Sequence, residues 1–230
     1  MLVPTLNEAE NIDLLLERIF QVRQSCEVDF DVLFVDSASD DKTCDRIRGW
    51  IGNSPVSLLQ REINVGLAGA VVAGARYCCS DIVLVMDADL SHPAEKIPLL
   101  LAPVIEGTHD MVIGSRYAPG GSMPDWPFSR RFCSRLATLP ALLFCNVKDP
   151  LAGFFAVKRK YLCSLPGSVP GFKIGLAILA EFGAELRVME VPIEFRDRDH
   201  GESKMSRGVV WDYLRQLTRL SARKLLRSRH

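Results

Sequence analysis

The sequence has no surplus of either charge, no long hydrophobic run and no cysteine pairs at metal-binding spacing. Its 230 residues carry 28 lysines and arginines against 28 aspartates and glutamates, so it lacks the basic excess of a nucleic-acid-binding domain. The longest apolar stretch, residues 136–147, is about half of the roughly 20 residues that a membrane-spanning helix needs. We therefore expect no nucleic-acid partner and no transmembrane helix.

The cysteines and histidines are equally uninformative about metals and disulfides. Seven cysteines are odd in number, lack CxxC spacing and lie mostly in apolar segments, which is typical of buried, reduced thiols. The four histidines show no zinc-ligand spacing. Polar residues Asn7 and Glu8 follow Met1 so closely that no signal peptide is predicted, and we expect a cytoplasmic chain.

Short β-branched runs alternate with helical patterns along the chain, which predicts an α/β fold with a mostly parallel sheet between helices. We expect one domain over residues 1–230. The predicted strands are 2–4, 30–35, 56–59, 82–86, 111–113, 154–157 and 186–191. The predicted helices are one that follows an Asn7–Glu10 capping pair, then 41–50, 67–79, 94–105, 129–145, 174–182 and a basic amphipathic helix around 208–228.

A pair of carboxylates, Asp87 and Asp89, follows the predicted strand 82–86. Residues i and i+2 of an extended segment project to the same side, so these carboxylates could hold Mg²⁺ or Mn²⁺, which prefer oxygen ligands. Ligands of open α/β sheets gather at such strand ends. A solvated turn remains the alternative for an isolated DxD. The glycine-rich segment 64–70 lacks GxGxxG spacing and follows the third strand, which argues against a nicotinamide dinucleotide site.

Several further motifs occur in an order that resembles glycosyltransferase family 2, in particular its dolichol-phosphate mannosyltransferase group. The matching segments are 3–8 (VPTLNE), 64–70 (NVGLAGA), 86–93 (MDADLSHP), 114–117 (GSRY), 120–121 with Trp126 and Arg130, 149–154 (DPLAGF), and Phe195, Arg198, Gly201, Ser203 and Lys204. Together they cover nearly the whole chain.

The resemblance implies a GT-A fold and assigns roles to particular residues. The nucleotide-sugar donor, most simply GDP-mannose, would be bound by Pro4, Asn7, Glu8, Asp36, Asn64 and Asp87. The metal, Mg²⁺ or Mn²⁺, would be held by Asp87, Asp89 and Ser91. From the residues alone, Asn7 and Glu8 could also be a plain helix cap.

Four cations in these motifs, Arg116, Arg130, Arg198 and Lys204, are expected to meet phosphate oxygens and to act in catalysis with Asp89. The implied acceptor is a dolichyl or polyprenyl monophosphate. Its phosphate is already anionic near neutral pH, so its oxygen can attack without a strong general base, and we nominate none. The family's reaction inverts the anomeric carbon in one displacement.

Three positions depart from the family pattern. Ser91 stands where relatives often place a glutamine, the second-strand motif reads Asp36 to Asp41 as DSASDD, and Ala177 replaces a frequent glutamate. These departures keep two alternatives open: a polyprenyl-phosphate glucosyltransferase that uses UDP-glucose, and a non-catalytic relative that binds a nucleotide sugar.

After Asp212 the tail carries basic residues and no acid, interleaved with leucines. Such a helix can lie on an anionic membrane, although an ordinary packed helix with a solvated basic face would look the same. We expect peripheral attachment to the membrane surface, through this tail, through the 129–145 helix, or through a membrane-anchoring partner subunit.

Overall fold

A computed structural model describes residues 1–64, 66–165, 173–197, 213 and 215–220 of the chain. Within these residues the strands are β1 (Leu2–Thr5), β2 (Val32–Ser37), β3 (Val56–Arg61), β4 (Ile82–Val85), β5 (Met111–Ser115), β6 (Phe155–Lys158) and β7 (Val188–Pro192). The helices are α1 (Ile12–Ser25), α2 (Thr43–Trp50), α3 (Gly66–Tyr77), α4 (Ile97–Ile105), α5 (Phe128–Thr138), α6 (Arg159–Cys163) and α7 (Ile174–Phe182). Residues 215–220 are also helical.

The strands form one sheet in the order β3-β2-β1-β4-β6-β5-β7. All neighbouring strands are parallel except β6, which runs antiparallel to both β4 and β5. The prediction of a mostly parallel sheet flanked by helices is confirmed. Because β6 runs in the opposite direction, the loop before it reaches the same sheet edge as the carboxyl ends of β1, β2 and β4.

Two apolar layers cover the two faces of the sheet. Alternate residues of β4 point to opposite layers: Val83 and Val85 to one, and Leu84 to the other, which also contains Met86 just after the strand. The first layer includes residues of α3, α6 and α7, and the second includes residues of α1, α2 and α4. This three-layer packing leaves the loops at the strand ends to form a site.

Two local predictions are corrected by the backbone. Asn7 does not cap α1, because its φ is 57° and the N-cap of that helix is Asn11. The predicted helix 129–145 is α-helical only as far as Thr138, and Leu139–Leu143 form a 3-10 helix. Pro140 explains this change, because proline has no backbone N–H and its ring clashes with the preceding helical turn.

Candidate active site

Asp36, at the end of β2, is the buried centre of the loops that follow β1 and β2. Its carboxylate is fully buried and accepts hydrogen bonds from the Thr5 hydroxyl (3.1 Å) and from the Ser39 backbone N–H (3.0 Å) and hydroxyl. The predicted nucleotide residue Pro4 lies inside β1, in register with Val35. Asp36 therefore holds the β2–α2 loop against the end of β1.

Asn7 and Glu8 connect the two loops. The Asn7 backbone N–H donates to the Ser39 hydroxyl at 2.9 Å, and the Asp40 N–H donates to the Asn7 side-chain oxygen at 3.1 Å. The Glu8 backbone N–H donates to the Thr43 hydroxyl, at the start of α2, at 2.8 Å. The left-handed backbone of Asn7 and these cross-loop bonds shape a rim at this edge of the sheet.

Asp87 and Asp89 follow β4 in different surroundings. Asp89 is buried, and its Oδ1 accepts hydrogen bonds from the Ser91 backbone N–H (3.2 Å) and hydroxyl (2.6 Å). The Asp87 side chain is 34% exposed, with Oδ2 at 3.2 Å from His92 Nε2. Leu90, the residue after Asp89, has a φ of 62°, a conformation that costs energy for a branched residue and often marks a functional site.

The metal-binding capacity of this segment rests on these two carboxylates. In the described part of the chain, no group of three or more His, Cys, Asp and Glu side chains is arranged to hold a metal ion. Two carboxylates are nevertheless the oxygen donors that Mg²⁺ or Mn²⁺ prefers, and both ions leave positions open for diphosphate oxygens. The donor set fits a metal that is shared with a bound diphosphate.

Gly153 and His92 enclose the Asp87 carboxylate. A Cβ atom on Gly153 would lie 2.9 Å from Asp87 Oδ2, so a glycine permits this close approach. His92 lies between Phe154 (ring centroids 5.1 Å apart) and Phe195 (5.2 Å). The sequence analysis gave Gly153 and His92 no role, although they lie in the motifs 149–154 and 86–93.

Arg116, just after β5, is held by Asp149. Arg116 Nε and Nη2 each donate to the Asp149 carboxylate at 2.8 Å, and the Arg116 backbone N–H donates at 3.0 Å. Burial lowers the pKa of the guanidinium, but the Asp149 carboxylate outweighs that effect and raises the pKa above its usual value. The Asp87 charge raises it further. Arg116 is therefore a rigid, permanent cation beside the DxD segment.

Lys173 is a second cation at this place, and sequence reasoning missed it. Its Nζ donates a 2.9 Å hydrogen bond to the Leu151 carbonyl oxygen. Burial, together with the charge of Arg116, lowers the pKa of Lys173 to about 8, while Asp87 and Asp149 act in the opposite direction. The available signal was a single lysine before the apolar helix α7.

The remaining predicted residues are more scattered. Arg130 lies on α5 with its guanidinium carbon 4.1 Å from the Trp126 ring centroid, and it pairs with Asp197 at 2.9 Å. Trp126 also lies 5.8 Å from the Arg116 guanidinium, so this ring connects the two arginines.

Asn64 accepts a 2.8 Å hydrogen bond from the Gly66 N–H at the start of α3. Arg198 and Lys204 lie outside the described residues, as does most of the predicted 208–228 helix.

Ala177, the third departure from the family pattern, belongs to the apolar core. Ala177 is buried in α7, within the apolar layer that includes Phe155 and Val157.

None of the helices in the described part of the chain has the length and apolar character needed to cross a membrane.

Comparisons with known proteins agree with this geometry. Residues 1–173 match the model of Glycosyl transferase family 2. The chain is 36% identical over 224 residues to a dolichol-phosphate mannosyltransferase of Pyrococcus furiosus, covering 96% of this chain but 62% of that relative. It is 38% identical over 230 residues to an undecaprenyl-phosphate mannosyltransferase of Micrococcus luteus, covering 95% of this chain and 91% of the relative.

Solved structures show the same fold. Glucosyl-3-phosphoglycerate synthase from Mycobacterium tuberculosis, crystallised with Mn²⁺, UDP and glucosyl-3-phosphoglycerate, superposes with a TM-score of 0.68 at 23% identity. The match covers 94% of this chain and 78% of that one. The expected GT-A architecture is confirmed.

Proposed function

The chain belongs to glycosyl transferase family 2, and from that premise we propose that it transfers a mannosyl group from a nucleotide diphosphate sugar to a polyprenyl monophosphate. One observation carries the proposal: the loop before β6 holds two cations suited to phosphates beside a carboxylate suited to a metal. Asp149 of this loop binds Arg116 at 2.8 Å, the Leu151 carbonyl oxygen binds Lys173 Nζ at 2.9 Å, and a Cβ atom on Gly153 would lie 2.9 Å from Asp87 Oδ2. The names of the relatives from Pyrococcus and Micrococcus support the mannosyl group and the lipid acceptor.

The proposed donor is GDP-mannose. Asn7 and Glu8 would bind the nucleoside at the rim described above, with Asn64 and Asp87 completing the pocket. Pro4 and Asp36, which are both buried, would support the pocket from β1 and β2. UDP-glucose is the alternative donor, and the experiment below includes it. Residues 1–230 would form one catalytic domain.

A divalent metal, Mg²⁺ or Mn²⁺, would be held by Asp87 and Asp89. When bound, it would neutralise charge on the departing diphosphate. The Ser91 hydroxyl donates to Asp89, so Ser91 would orient that carboxylate in addition to its expected contact with the metal. The Mn²⁺ in the Mycobacterium tuberculosis synthase agrees with this choice of metal.

In the reaction, one oxygen of the acceptor phosphate forms a bond to the anomeric carbon, while the bond from that carbon to the diphosphate breaks. The bonding electron pair leaves with the nucleoside diphosphate, and the anomeric carbon is inverted. Arg116 and Lys173 would stabilise phosphate charge from fixed positions, which is effective because they need little reorganisation. Arg130, Arg198 and Lys204 would bind the acceptor phosphate, and no protein base is needed.

The enzyme would work at the cytoplasmic surface of a membrane, where its lipid acceptor resides. The basic tail after Asp212 would attach it peripherally. A membrane-anchoring partner subunit would provide a further attachment to the membrane.

The function is tested by incubating the protein with Mg²⁺ or Mn²⁺, a short-chain isoprenyl phosphate soluble in water, and radiolabelled GDP-mannose or UDP-glucose. The labelled product is separated from the donor by reversed-phase chromatography and counted. We expect label from GDP-mannose, with loss of transfer in EDTA and at least a hundredfold loss in Asp89→Ala. Asp81→Asn, an exposed change before β4, serves as the matched control.

Transfer from UDP-glucose and not from GDP-mannose would show that the donor is UDP-glucose, while the reaction would still be sugar transfer to a lipid phosphate. Nucleotide binding by calorimetry, without transfer from either donor, would reject the enzymatic function and favour a nucleotide-sugar-binding relative.

A further inference from the structure

Helix α5 and the 3-10 helix that follows it have an unusual surface. Six of the thirteen exposed large apolar side chains in the described part of the chain lie between residues 128 and 143. Phe128, Phe132, Leu136 and Leu139 recur at spacings of four, four and three residues, which places them on one side of the helix. We call these four residues the α5 stripe; Phe128 is 81% exposed and the other three are more than half exposed.

An apolar stripe of this kind is typical of an interface. Scattered exposed leucines are ordinary on a protein surface, but a contiguous exposed row indicates a contact. Phe128 and Phe132 stack on each other, with ring centroids 6.5 Å apart. At about 1.5 Å per residue, the stripe extends over roughly 16 Å.

The positive charge around the α5 stripe indicates an anionic partner. From residue 126 to residue 148 the chain has four basic residues and no acidic one. Arg131 and Arg135 each precede a stripe residue by one position, so they flank the stripe, and arginine stems can lie on an apolar surface while their charged heads reach outward. Aromatic and leucine side chains with flanking arginines match the boundary between anionic headgroups and acyl chains.

The position of α5 connects this surface to the site. The Tyr117 hydroxyl, one residue after Arg116, donates a 2.8 Å hydrogen bond to the Ser134 hydroxyl on α5. Arg131 Nε donates a 2.7 Å hydrogen bond to the Trp126 carbonyl oxygen, and the Trp126 ring lies against Arg130. A bilayer on the α5 stripe would therefore lie next to the cations that are proposed to bind the lipid phosphate.

We propose that the α5 stripe docks the protein on an anionic lipid bilayer, with α5 lying in the interface plane. Docking of this kind rests on the proposed function for its purpose: an acceptor held in a bilayer presents its phosphate at headgroup level, where a docked enzyme can reach it. A second copy of the chain is the less favourable occupant, because a twofold contact through the stripe would bring the Arg131 and Arg135 side chains of both copies together.

The test is co-sedimentation of the full chain with vesicles of phosphatidylcholine alone, or with about 30% phosphatidylglycerol, without donor or polyprenyl phosphate. We expect wild-type binding to the anionic vesicles, and at least about a tenfold lower partition coefficient for Phe128→Ser/Phe132→Ser/Leu136→Ser. Phe128→Ser alone should lower it several-fold. The matched control is Ile63→Ser/Leu99→Ser/Ile105→Ser, which removes three exposed apolar side chains elsewhere and should bind as the wild type does.

Three results would overturn the proposal: no wild-type binding to anionic vesicles, wild-type binding by the stripe variant, or equal losses in the control. The stripe variants keep the basic tail, so undiminished binding would assign docking to the tail. Sedimentation velocity without vesicles tests whether a second copy of the chain covers the stripe. If the wild type is a dimer and the stripe variant is a monomer, the occupant of the stripe is a second copy and not a bilayer.

Failure of the proposed function would be recognised separately. The stripe variants should transfer sugar to the water-soluble short-chain acceptor at the wild-type rate while losing transfer to a long-chain acceptor in vesicles. Absence of transfer to either acceptor in the wild type would reject the function without changing the vesicle-binding result.

Discussion

Arg116 and Asp149 form a buried, two-pronged ion pair, with both nitrogen–oxygen distances at 2.8 Å. The Asp149 side chain is 0% exposed and the Arg116 side chain 10%. Asp149 is itself anchored, because its backbone N–H donates to Glu190 on β7 at 3.0 Å. The pair therefore fixes a cation beside the DxD segment, and the four predictions below begin with it.

Removal of Asp149 would leave the Arg116 charge buried without its carboxylate. We expect Asp149→Ala to lower the free energy of unfolding by about 3–5 kcal/mol, since breaking one side of a buried pair is strongly destabilising. Urea denaturation measures this loss. The exposed pair Arg48–Asp45, at 2.9 Å, is the control, and Asp45→Ala should cost no more than about 1 kcal/mol. Equal losses would show that the burial of the Arg116–Asp149 pair contributes nothing.

Gly153 tests the close approach to Asp87. A Cβ atom there would lie 2.9 Å from Asp87 Oδ2, so Gly153→Ala must displace a carboxylate that is within 3.2 Å of His92. We expect at least a tenfold loss of sugar transfer, or about 1.4 kcal/mol in the activation barrier. Gly49→Ala, where a Cβ atom meets nothing within 4 Å, should retain full activity. Wild-type turnover by Gly153→Ala would contradict a role for the Asp87 position.

Lys173 is expected to lower the stability of the ligand-free protein while supporting its activity. Its folded pKa is about 8 against 10.5 for an ordinary lysine, so the unfolded chain binds more protons between these values and stability should rise with pH across that window. Lys173→Met should stabilise the protein at pH 7 by roughly 1–3 kcal/mol and remove this pH dependence.

The same Lys173→Met variant should reduce transfer at least tenfold, because a phosphate would lose a fixed cation. Thermal unfolding from pH 7 to pH 10.5 and radiolabel transfer are the two measurements. Lys160→Met, which removes a cation next to the Tyr161 ring, is the control. Higher stability together with unchanged transfer would place Lys173 outside the reaction.

Asp110 should contribute stability that is lost in acid. Hydrogen bonds from Arg187 and Lys158 hold the pKa of this carboxyl well below its usual value, against the opposing effect of burial. Its contribution is therefore complete above the unfolded pKa of about 3.9 and disappears as the pH falls through the lower folded pKa.

We expect Asp110→Asn to reduce the free energy of unfolding by about 1–3 kcal/mol at pH 7, with a smaller difference from the wild type below about pH 4. Denaturant unfolding at a series of pH values measures this. A difference independent of pH would mean that Asp110 acts through packing alone.

Periodicity predicted the strand order along the chain and most element positions, because a buried strand or an amphipathic helix leaves a local pattern. The predicted 174–182 helix is α7 with the same bounds, and the strand 82–86 is β4 shortened by one residue. Local pattern failed where long-range contacts decide: Asn7 was predicted to cap α1, but its side chain accepts from Asp40 across the loop. The short helix α6 was also missed, since five residues carry no periodic signal.

The sequence by itself determined the family, the α/β architecture and the DxD segment at the end of β4, because ordered motifs and residue spacing are properties of the chain alone. Only the tertiary structure decided which charges meet. Arg116 and Asp149 are 33 residues apart in sequence, and no local rule pairs them. Likewise, Lys173 has its lowered pKa only because folding removes it from water and brings the Arg116 charge near. Electrostatic energy depends on distance and burial, and both are set by the packing of the whole chain.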